Sequence, residues 1–391
     1  MDMQNSLLAA LRDEARLSPD SGIIEIANYS WGRPDVITLF AGEGDLPTPE
    51  FICTAAARSL AAGETFYTWQ RGLPELRSAL AAYHQRHFER SFQAERFFVT
   101  GSGMQAIQIA VACVAGLGDE VVIPSPAWPN MAAALSVAGA APVAVPLVTV
   151  DNRWSLDLDL LFKAVGPATR AIFINSPANP TGWTATGDEL RTILDFARKN
   201  ELWIIADEVY SRFVYDRARA PSFYDIMEED DRIIFVNTFS KNWAMTGWRI
   251  GWISAPPELG QVIENLIQYS TSGVAAFMQR AAIAALEDGE DFAAGQIARA
   301  GEGRRIVCDA LARSNRVRFA PPEGAFYLLF EVEGEPDTAD LAKRIVDEAG
   351  VAMAPGTAFG PGGESFMRIC FARKPDDMRE VASRLTSWLA G

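Results

Sequence analysis

Lysine and histidine are the residues that this sequence has least of. Only five of its 35 basic side chains are lysines, and 391 residues contain two histidines. His84 and His87 lie on one polar segment with helical spacing, so a histidine-based triad or metal site has almost no material. The four cysteines are far apart and form no CxxC pair, which predicts core thiols. The sequence therefore predicts no metal site.

Positive charge and long apolar runs are also lacking. The net charge of −15 argues against a nucleic-acid surface and against a polybasic membrane patch. No apolar run reaches the ~20 residues that span a bilayer, and the N-terminus is acidic where a secretory signal would be basic. We therefore expect a cytoplasmic protein without nucleic-acid or membrane partners, in which local arginines and helix N-termini hold any anionic ligand.

Lys241 differs from the other four lysines in its surroundings. It follows the apolar run 233–236, which is typical of a buried strand, and a second short strand is expected at 248–253. Desolvation at such a place disfavours the ammonium and favours a nucleophilic amine. The alternative is a lysine that reaches past the strand end to water, and this stretch alone favours neither.

Three nearby side chains suit a phosphate. Thr238 and Ser240 offer hydroxyls, and Arg249 follows Lys241 by eight residues. Hydroxyl groups beside a guanidinium are typical of phosphate sites. This combination favours a ligand site over a solvated lysine.

A glycine-rich turn at 101–106 lies between a predicted strand, FFVT, and a predicted helix. Its pattern matches the dinucleotide fingerprint, which also requires an acidic residue at the end of the next strand. That strand, VVIPSP, has its acidic residues before it instead. The missing acidic residue therefore weakens the prediction of a nicotinamide-dinucleotide site. A single phosphate on the helix N-terminus needs only the backbone N–H groups of Gly103 and Met104 and the hydroxyl of Ser102.

Further chemically useful side chains follow other predicted buried strands. Trp128 follows VVIP, Asn179 follows AIFIN, and Asp207 ends ELWIIAD. The carboxyl ends of parallel strands meet at one sheet edge, where open α/β sheets bind ligands. Each residue has an ordinary alternative: Trp128 in the core, Asn179 in a proline turn, and Asp207 as the cap of a following helix that would carry Tyr210.

The stretch SKNWAMTGWRIGW resembles the S-K-x-x-x-M-x-G-x-R-x-G signature of class I and II aminotransferases, which use pyridoxal 5′-phosphate (pyridoxal phosphate). GEGDLPTP and NSPANPTG resemble two further family motifs. The resemblance covers nearly the whole chain and implies an α/β fold of type I, with a mostly parallel seven-stranded sheet flanked by helices and a smaller α+β domain. We expect an arm with part of the small domain at 1–45, a large domain at 46–285, and a small domain at 286–391.

The resemblance also implies roles for the residues at the strand ends. In the family the lysine carries the cofactor as an internal aldimine, a Schiff base. The aspartate at the Asp207 position keeps the pyridine nitrogen protonated, Asn179 and Tyr210 bond the ring oxygen, and Trp128 stacks on the ring. Catalysis is thus assigned to Lys241, Asp207 and Tyr210. Phosphate contacts are assigned to Ser102, Gly103, Met104, Thr238, Ser240 and Arg249.

Arg368 is an arginine in an otherwise apolar strand, ESFMRICFA, and a buried arginine needs an anionic partner. That partner is a structural carboxylate or, as the resemblance implies, the substrate's α-carboxylate. Gly42, Trp128 and Asn179 are also expected beside the substrate. A tyrosine at the position of Tyr67 reaches the partner subunit's phosphate in the family, which implies a homodimer.

The function implied is a transaminase of amino-acid metabolism that moves an amino group between an L-amino acid and a 2-oxo acid by a ping-pong mechanism. A β-lyase with the same cofactor stays open, as does, less strongly, a non-catalytic regulatory module. The sequence does not predict which amino acid donates the amino group. Arg33, Arg71 and Arg280 are candidates for binding a distal carboxylate, with surface ion pairs as the alternative.

The spacing of apolar residues over 6–17 predicts one amphipathic helix, which we expect to serve as a docking arm. Leu7, Leu8, Leu11 and Ala15 would lie on one face.

Overall fold

The structure is a computed structural model that describes residues 7–391. Its strands are β1 (Ile37–Thr38), β2 (Phe97–Thr100), β3 (Glu120–Ser125), β4 (Ala141–Val150), β5 (Arg153–Leu156), β6 (Thr169–Asn175), β7 (Trp203–Asp207), β8 (Ile233–Thr238), β9 (Gly251–Ser254), β10 (Val317–Phe319), β11 (Tyr327–Val332), β12 (Val351–Ala352), β13 (Ala354–Pro355) and β14 (Phe366–Cys370).

The helices with assigned bounds alternate with the strands through most of the chain. They are α1 (Asp13–Arg16), α2 (Gly22–Ser30), α3 (Glu50–Ala61), α4 (Pro74–Phe88), α5 (Gly103–Val114), α6 (Pro129–Ala138), α7 (Leu158–Lys163), α8 (Gly187–Lys199), α9 (Gly260–Ser270), α10 (Ala276–Asp288), α11 (Glu290–Leu311), α12 (Thr338–Ala349) and α13 (Pro375–Ala390). None of the helices in the described part of the chain is long and apolar enough to cross a bilayer.

The larger sheet has eight strands in the order β2-β9-β8-β7-β6-β3-β4-β5. Neighbouring strands from β8 to β4 run parallel, β9 runs antiparallel to β8 and β2, and β5 runs antiparallel to β4. The predicted mostly parallel α/β sheet is confirmed, with eight strands where seven were expected. The extra strand is β5, which folds back through Asp151 and Asn152 at φ of 50° and 62°, the left-handed pair that a tight hairpin turn requires.

Helices cover both faces of this sheet, which explains the continuous apolar runs of its central strands. Ile172 and Ile204 pack into the core on one face, and Phe173 and Ile205 pack into the core on the other. Because both faces are buried, the carboxyl ends of the strands are where polar side chains can meet a ligand.

The smaller unit contains the antiparallel sheet β10-β11-β14-β13. Strand β1 lies beside this unit, because it pairs in parallel with β12, with Ile37 opposite Val351. The segment between 39 and 45 thus passes from this unit to the larger sheet. The division at residues 45 and 285 stays our proposal.

The single helix expected over 6–17 is wrong for its described part, residues 7–17. Only Asp13–Arg16 has assigned helix bounds there, and residues 10–12 interrupt the helix. Arg12 has an extended backbone, and its guanidinium donates a hydrogen bond to the carbonyl of Val137. Leu7 and Leu8 are 73% and 55% exposed, so burial does not offset the cost of a longer helix.

Candidate functional site

A cavity of about 350 Å³ lies at the carboxyl ends of the central strands. All but two of the site residues predicted from the sequence line it. Ser102 and Tyr67 are the exceptions. The predicted residues that line it are Gly42, Gly103, Met104, Trp128, Asn179, Asp207, Tyr210, Thr238, Ser240, Lys241, Arg249 and Arg368.

Lys241 lies in the turn that follows β8. Phe239 and Trp243 are fully buried beside it. Its Nζ donates a hydrogen bond of 2.7 Å to the carbonyl of Gly42 and lies 6.0 Å from the ring centre of Tyr210. Burial disfavours the ammonium and lowers the pKa of Lys241 to about 8. The neutral amine is therefore a minor form near physiological pH, but a far more abundant one than for an ordinary lysine.

Asp207 ends β7 and is buried beneath the same cavity. Burial raises its pKa to about 7, against the lowering effects of the Val209 N–H and of Lys241. The N–H of Val209 donates to its Oδ1 at 3.2 Å. No helix begins here, because residues 209–212 form turns, so the alternative in which Asp207 caps a helix is wrong. The turn nevertheless brings Tyr210 into the cavity.

Tyr327, the first residue of β11, lines the cavity and was missed by sequence reasoning. Its hydroxyl lies 2.7 Å from the hydroxyl of Tyr210. A Cβ atom at Gly42 would overlap the Tyr327 hydroxyl, so only glycine fits there. The apolar surroundings of Tyr327 in GAFYLLF are typical of core. Strand pairing places Tyr327 opposite Cys370, two residues from Arg368, and the sequence alone carries no signal of this pairing.

Arg368 on β14 is 1% exposed, and burial lowers its pKa. Its Nη1 donates to Oδ1 of Asn179 at 3.0 Å, and its Nη2 donates to the carbonyl of Phe40. The guanidinium lies between the rings of Tyr327 and Phe359, 4.6 and 4.7 Å from their centres. Among the salt bridges of residues 7–391 none involves Arg368, so the alternative of a structural carboxylate partner is wrong. Its charge is free for a ligand.

The N-terminus of α5 opens toward the cavity at Gly103 and Met104. Ser102 is the N-cap of this helix, and its hydroxyl accepts the N–H of Gln105 at 3.0 Å, which explains why it does not line the cavity. Gly251 on β9 lets the sheet approach this turn, because a Cβ atom there would lie 2.9 Å from the N of Gly103.

The predicted hydroxyl pair lies beside that helix N-terminus. Oγ1 of Thr238 and Oγ of Ser240 are 2.9 Å apart, and Thr238 donates to the carbonyl of Ile250 at 3.0 Å. Arg249 is exposed and donates to the carbonyl of Thr246 at 2.6 Å. Its φ of 56° is a left-handed conformation uncommon in residues with a Cβ atom. Arg249 also lines the cavity.

Tyr67 and Trp128 have contrasting surroundings. Trp128 is the N-cap residue of α6 and is partly buried against the cavity. Tyr67 is 92% exposed, in a loop with Phe66 and Trp69 that is exposed as well. Within this chain Tyr67 contributes nothing to the cavity.

The three arginines considered for a distal carboxylate do not line the cavity. Each makes salt bridges elsewhere: Arg33 with Asp347, Arg71 with Glu264, and Arg280 with Glu64 and Glu75. The alternative of ordinary ion pairs is therefore correct for all three.

Known proteins share both the sequence and the fold. Residues 34–385 match the family described as aminotransferase class I and II. The chain is 34% identical over 374 residues to the aspartate aminotransferase of Pyrococcus horikoshii, covering 95% of each protein. It is also 34% identical over 381 residues to aromatic-amino-acid aminotransferase 2 of Thermococcus litoralis, covering 96% of this chain and 97% of that one. The crystal structure of aspartate aminotransferase from Thermotoga maritima superposes with a TM-score of 0.90 at 31% identity, covering 97% of this chain and 100% of that one.

Proposed function

The chain belongs to the class I and II aminotransferases, which depend on pyridoxal phosphate, and we propose that Lys241 holds this cofactor and moves the proton during amino-group transfer. The observation that carries the proposal is the arrangement of charges around one cavity. A lysine with a pKa of about 8, a buried carboxylate with a pKa of about 7 and a buried arginine without a carboxylate partner all line it. These groups suit an amino acid and its 2-oxo acid.

The residues fit the cofactor. When bound, pyridoxal phosphate supplies an aldehyde that takes up an amino group and a protonated ring that accepts electrons. Asp207 faces the cavity with its pKa raised by burial, and a ring N–H with positive charge would stabilise its ionised form. Trp128 offers a flat face for the ring. Asn179 and Tyr210 would hold the ring oxygen through their amide and hydroxyl groups.

The phosphate would lie at the N-terminus of α5. The N–H groups of Gly103 and Met104 would donate to it, and the hydroxyls of Thr238 and Ser240 would add donors. Arg249 supplies the full positive charge. The hydroxyl of Ser102 acts indirectly, because it fixes the first turn of the helix.

The donor's α-carboxylate would bind Arg368 in a bidentate manner, with Asn179 beside it. Gly42 leaves room for the substrate next to Lys241. The neutral amine of Lys241 then removes the proton from the donor's Cα as a general base. After the 2-oxo acid leaves, a second 2-oxo acid binds at Arg368 and Lys241 returns a proton to its Cα, which gives a ping-pong sequence.

Attachment of pyridoxal phosphate to the cofactor-free protein is expected to accelerate as the pH rises through about 8. The pKa of Lys241 is lowered to about 8. Below this pH the amine carries a proton and cannot attack an aldehyde, and above it the neutral form predominates. The measurement is the rate constant of the cofactor's absorbance change as a function of pH. Lys199→Arg, an exposed replacement, should leave the profile unchanged. A rate that rises only near 10.5, the ordinary lysine value, would contradict the assignment.

We also propose a homodimer in which Tyr67 reaches the partner subunit's phosphate. Tyr67, Phe66 and Tyr269 are 92%, 84% and 86% exposed, and exposed apolar clusters mark interaction surfaces. Sedimentation should give twice the mass of one chain. Tyr67→Phe should weaken retention of the cofactor by about 10- to 100-fold, the effect of one hydrogen bond to a charged group, and leave the dimer intact. A fully active monomer would contradict this proposal.

A cytoplasmic location stays a sequence prediction.

A further inference from the structure

We propose that Tyr327 is a positioning residue, whose hydroxyl donates to the hydroxyl of Tyr210 and so directs the Tyr210 proton toward the ring oxygen of the cofactor. This inference rests on the proposed function, because it takes Tyr210 as a partner of that oxygen. Tyr327 is fully buried at the first position of β11 and lines the cavity. Its side chain therefore reaches the cavity from outside the larger sheet.

The hydroxyls of Tyr210 and Tyr327 form one hydrogen-bonded pair. Their oxygens lie 2.7 Å apart, at a geometry that allows either to donate. The two rings meet edge to face, with centres 5.6 Å apart and planes at 88°. Within residues 7–391 this bond is the one hydrogen bond that either hydroxyl makes. Its direction therefore decides where the second proton of the pair points.

The count of protons separates the two directions. A tyrosine hydroxyl carries one proton to donate. If Tyr210 donates to Tyr327, it has no proton left for a ligand in the cavity. If Tyr327 donates to Tyr210, the Tyr210 proton stays available. Burial raises the pKa of both hydroxyls, so each keeps its proton at neutral pH. Only the second direction gives the cofactor oxygen a donor.

The charge of Arg368 favours Tyr327 as the donor. The guanidinium carbon lies 4.6 Å from the centre of the Tyr327 ring. A positive charge beside a hydroxyl favours its ionised form and thus makes it a stronger hydrogen-bond donor. For Tyr210 the corresponding cation is Nζ of Lys241, which lies farther from the ring centre, at 6.0 Å.

Close packing holds the Tyr327 hydroxyl beside the segment that contacts Lys241. A Cβ atom at Gly42 would overlap the Tyr327 oxygen, so the backbone there lies directly against it. The carbonyl of the same glycine accepts the hydrogen bond from Nζ of Lys241 at 2.7 Å. Packing therefore fixes the Tyr327 oxygen relative to both Lys241 and Tyr210.

A donor to the Tyr210 oxygen strengthens the bond that Tyr210 donates in turn, because successive hydrogen bonds polarise one another by roughly 10–30% per bond. The ring oxygen of the cofactor would then be stabilised in its negative form. Proton loss from the bound cofactor leaves negative charge on this oxygen and changes the absorption band. Removing the Tyr327 hydroxyl should therefore raise the pH midpoint of that change.

The test measures this midpoint in the loaded parent protein, Tyr210→Phe, Tyr327→Phe and the double variant. Tyr210→Phe should raise it by about one to two pH units, the effect of one hydrogen bond to a charged group. Tyr327→Phe keeps the ring beside Arg368 and should raise it by about 0.2–0.6 unit, the cooperative share of that bond. In the double variant Tyr327→Phe should add nothing, because its effect passes through the Tyr210 oxygen.

Two results overturn the inference and leave the proposed function intact. One is a midpoint in Tyr327→Phe that is unchanged or lower. The other is a double variant that shows the sum of the two single shifts, since additive shifts mean that the hydroxyls act independently. If Tyr210→Phe itself leaves the midpoint unchanged, the proposed role of Tyr210 fails, and this inference fails with it.

Tyr215→Phe is the matched control. The Tyr215 hydroxyl donates to the carbonyl of Ala325, two residues before Tyr327, and Tyr215 does not line the cavity. The variant removes one partly buried hydroxyl from the same region and should leave the midpoint unchanged. Thermal unfolding of the cofactor-free proteins shows whether all variants are folded. A shift in Tyr215→Phe equal to that in Tyr327→Phe would assign the effect to general loosening of the region and overturn the inference.

Discussion

Lys241→Arg is expected to lower kcat by at least about 10⁴-fold, the upper range for loss of a general base, while the protein stays folded. Arginine keeps the positive charge and its guanidinium stays protonated. It therefore cannot supply the neutral amine that burial produces at position 241, where the pKa is lowered to about 8. Steady-state transamination and the visible absorption spectrum measure the two consequences, lost turnover and lost covalent attachment.

The control for this prediction is Lys163→Arg at the exposed end of α7. It makes the same chemical change away from the cavity and should keep full activity. Circular dichroism and thermal unfolding show whether Lys241→Arg is folded. A folded Lys241→Arg enzyme with turnover within about 10-fold of the parent would remove lysine from the mechanism, because general acid–base catalysis contributes about 10²- to 10⁴-fold.

Arg368→Gln is expected to lower kcat/KM on the order of 10²- to 10³-fold, with most of the change in KM. The guanidinium is 1% exposed and lies between two aromatic rings, so glutamine cannot reproduce its bidentate contact with a carboxylate. Cofactor attachment should be retained, because Arg368 is not placed on the ring or the phosphate. Donor titrations give kcat and KM, and the absorption spectrum reports attachment.

Arg368→Lys separates charge from geometry. Lysine keeps a positive charge but not the planar fork, so it should recover only part of the loss. Arg318→Gln on β10, a residue whose side chain is 73% exposed, is the matched control and should behave as the parent enzyme. Unchanged KM for amino donors in Arg368→Gln would contradict the assignment of the α-carboxylate to this arginine.

The sequence predicted the parts of the site that follow from strand ends. Asp207, Asn179 and Lys241 each follow an apolar run, and parallel strands that are buried on both faces must present polar residues at their carboxyl ends. The structure places these residues on one cavity. Their specific roles rest on the resemblance to the family and stay predictions.

Other parts depend on contacts between distant segments, which periodicity does not show. Tyr327, Phe40 and Ile23 reach the cavity from outside the larger sheet, and each reads as an ordinary core residue in its own stretch. The use of the Ser102 hydroxyl as an N-cap depends on the helix start at Gly103. Tyr67 is exposed and does not line this chain's cavity, so a single chain cannot reveal its role.

In two segments, the helix expected from local sequence does not form. Residues 7–17 have helical spacing, but their leucines lie exposed, so helix formation gains little from packing. Residues after Asp207 form turns instead of a helix, and the N–H of Val209 bonds the aspartate side chain. In both segments tertiary context decided the local structure.

Covalent labelling of the lysine is the most direct test of the account. The enzyme loaded with pyridoxal phosphate is reduced with borohydride and digested, and its peptides are weighed by mass spectrometry. The account predicts a pyridoxyl group on the peptide that contains Lys241 and on no peptide that contains only the other four lysines. A pyridoxyl group on another lysine, with position 241 unmodified, would contradict it.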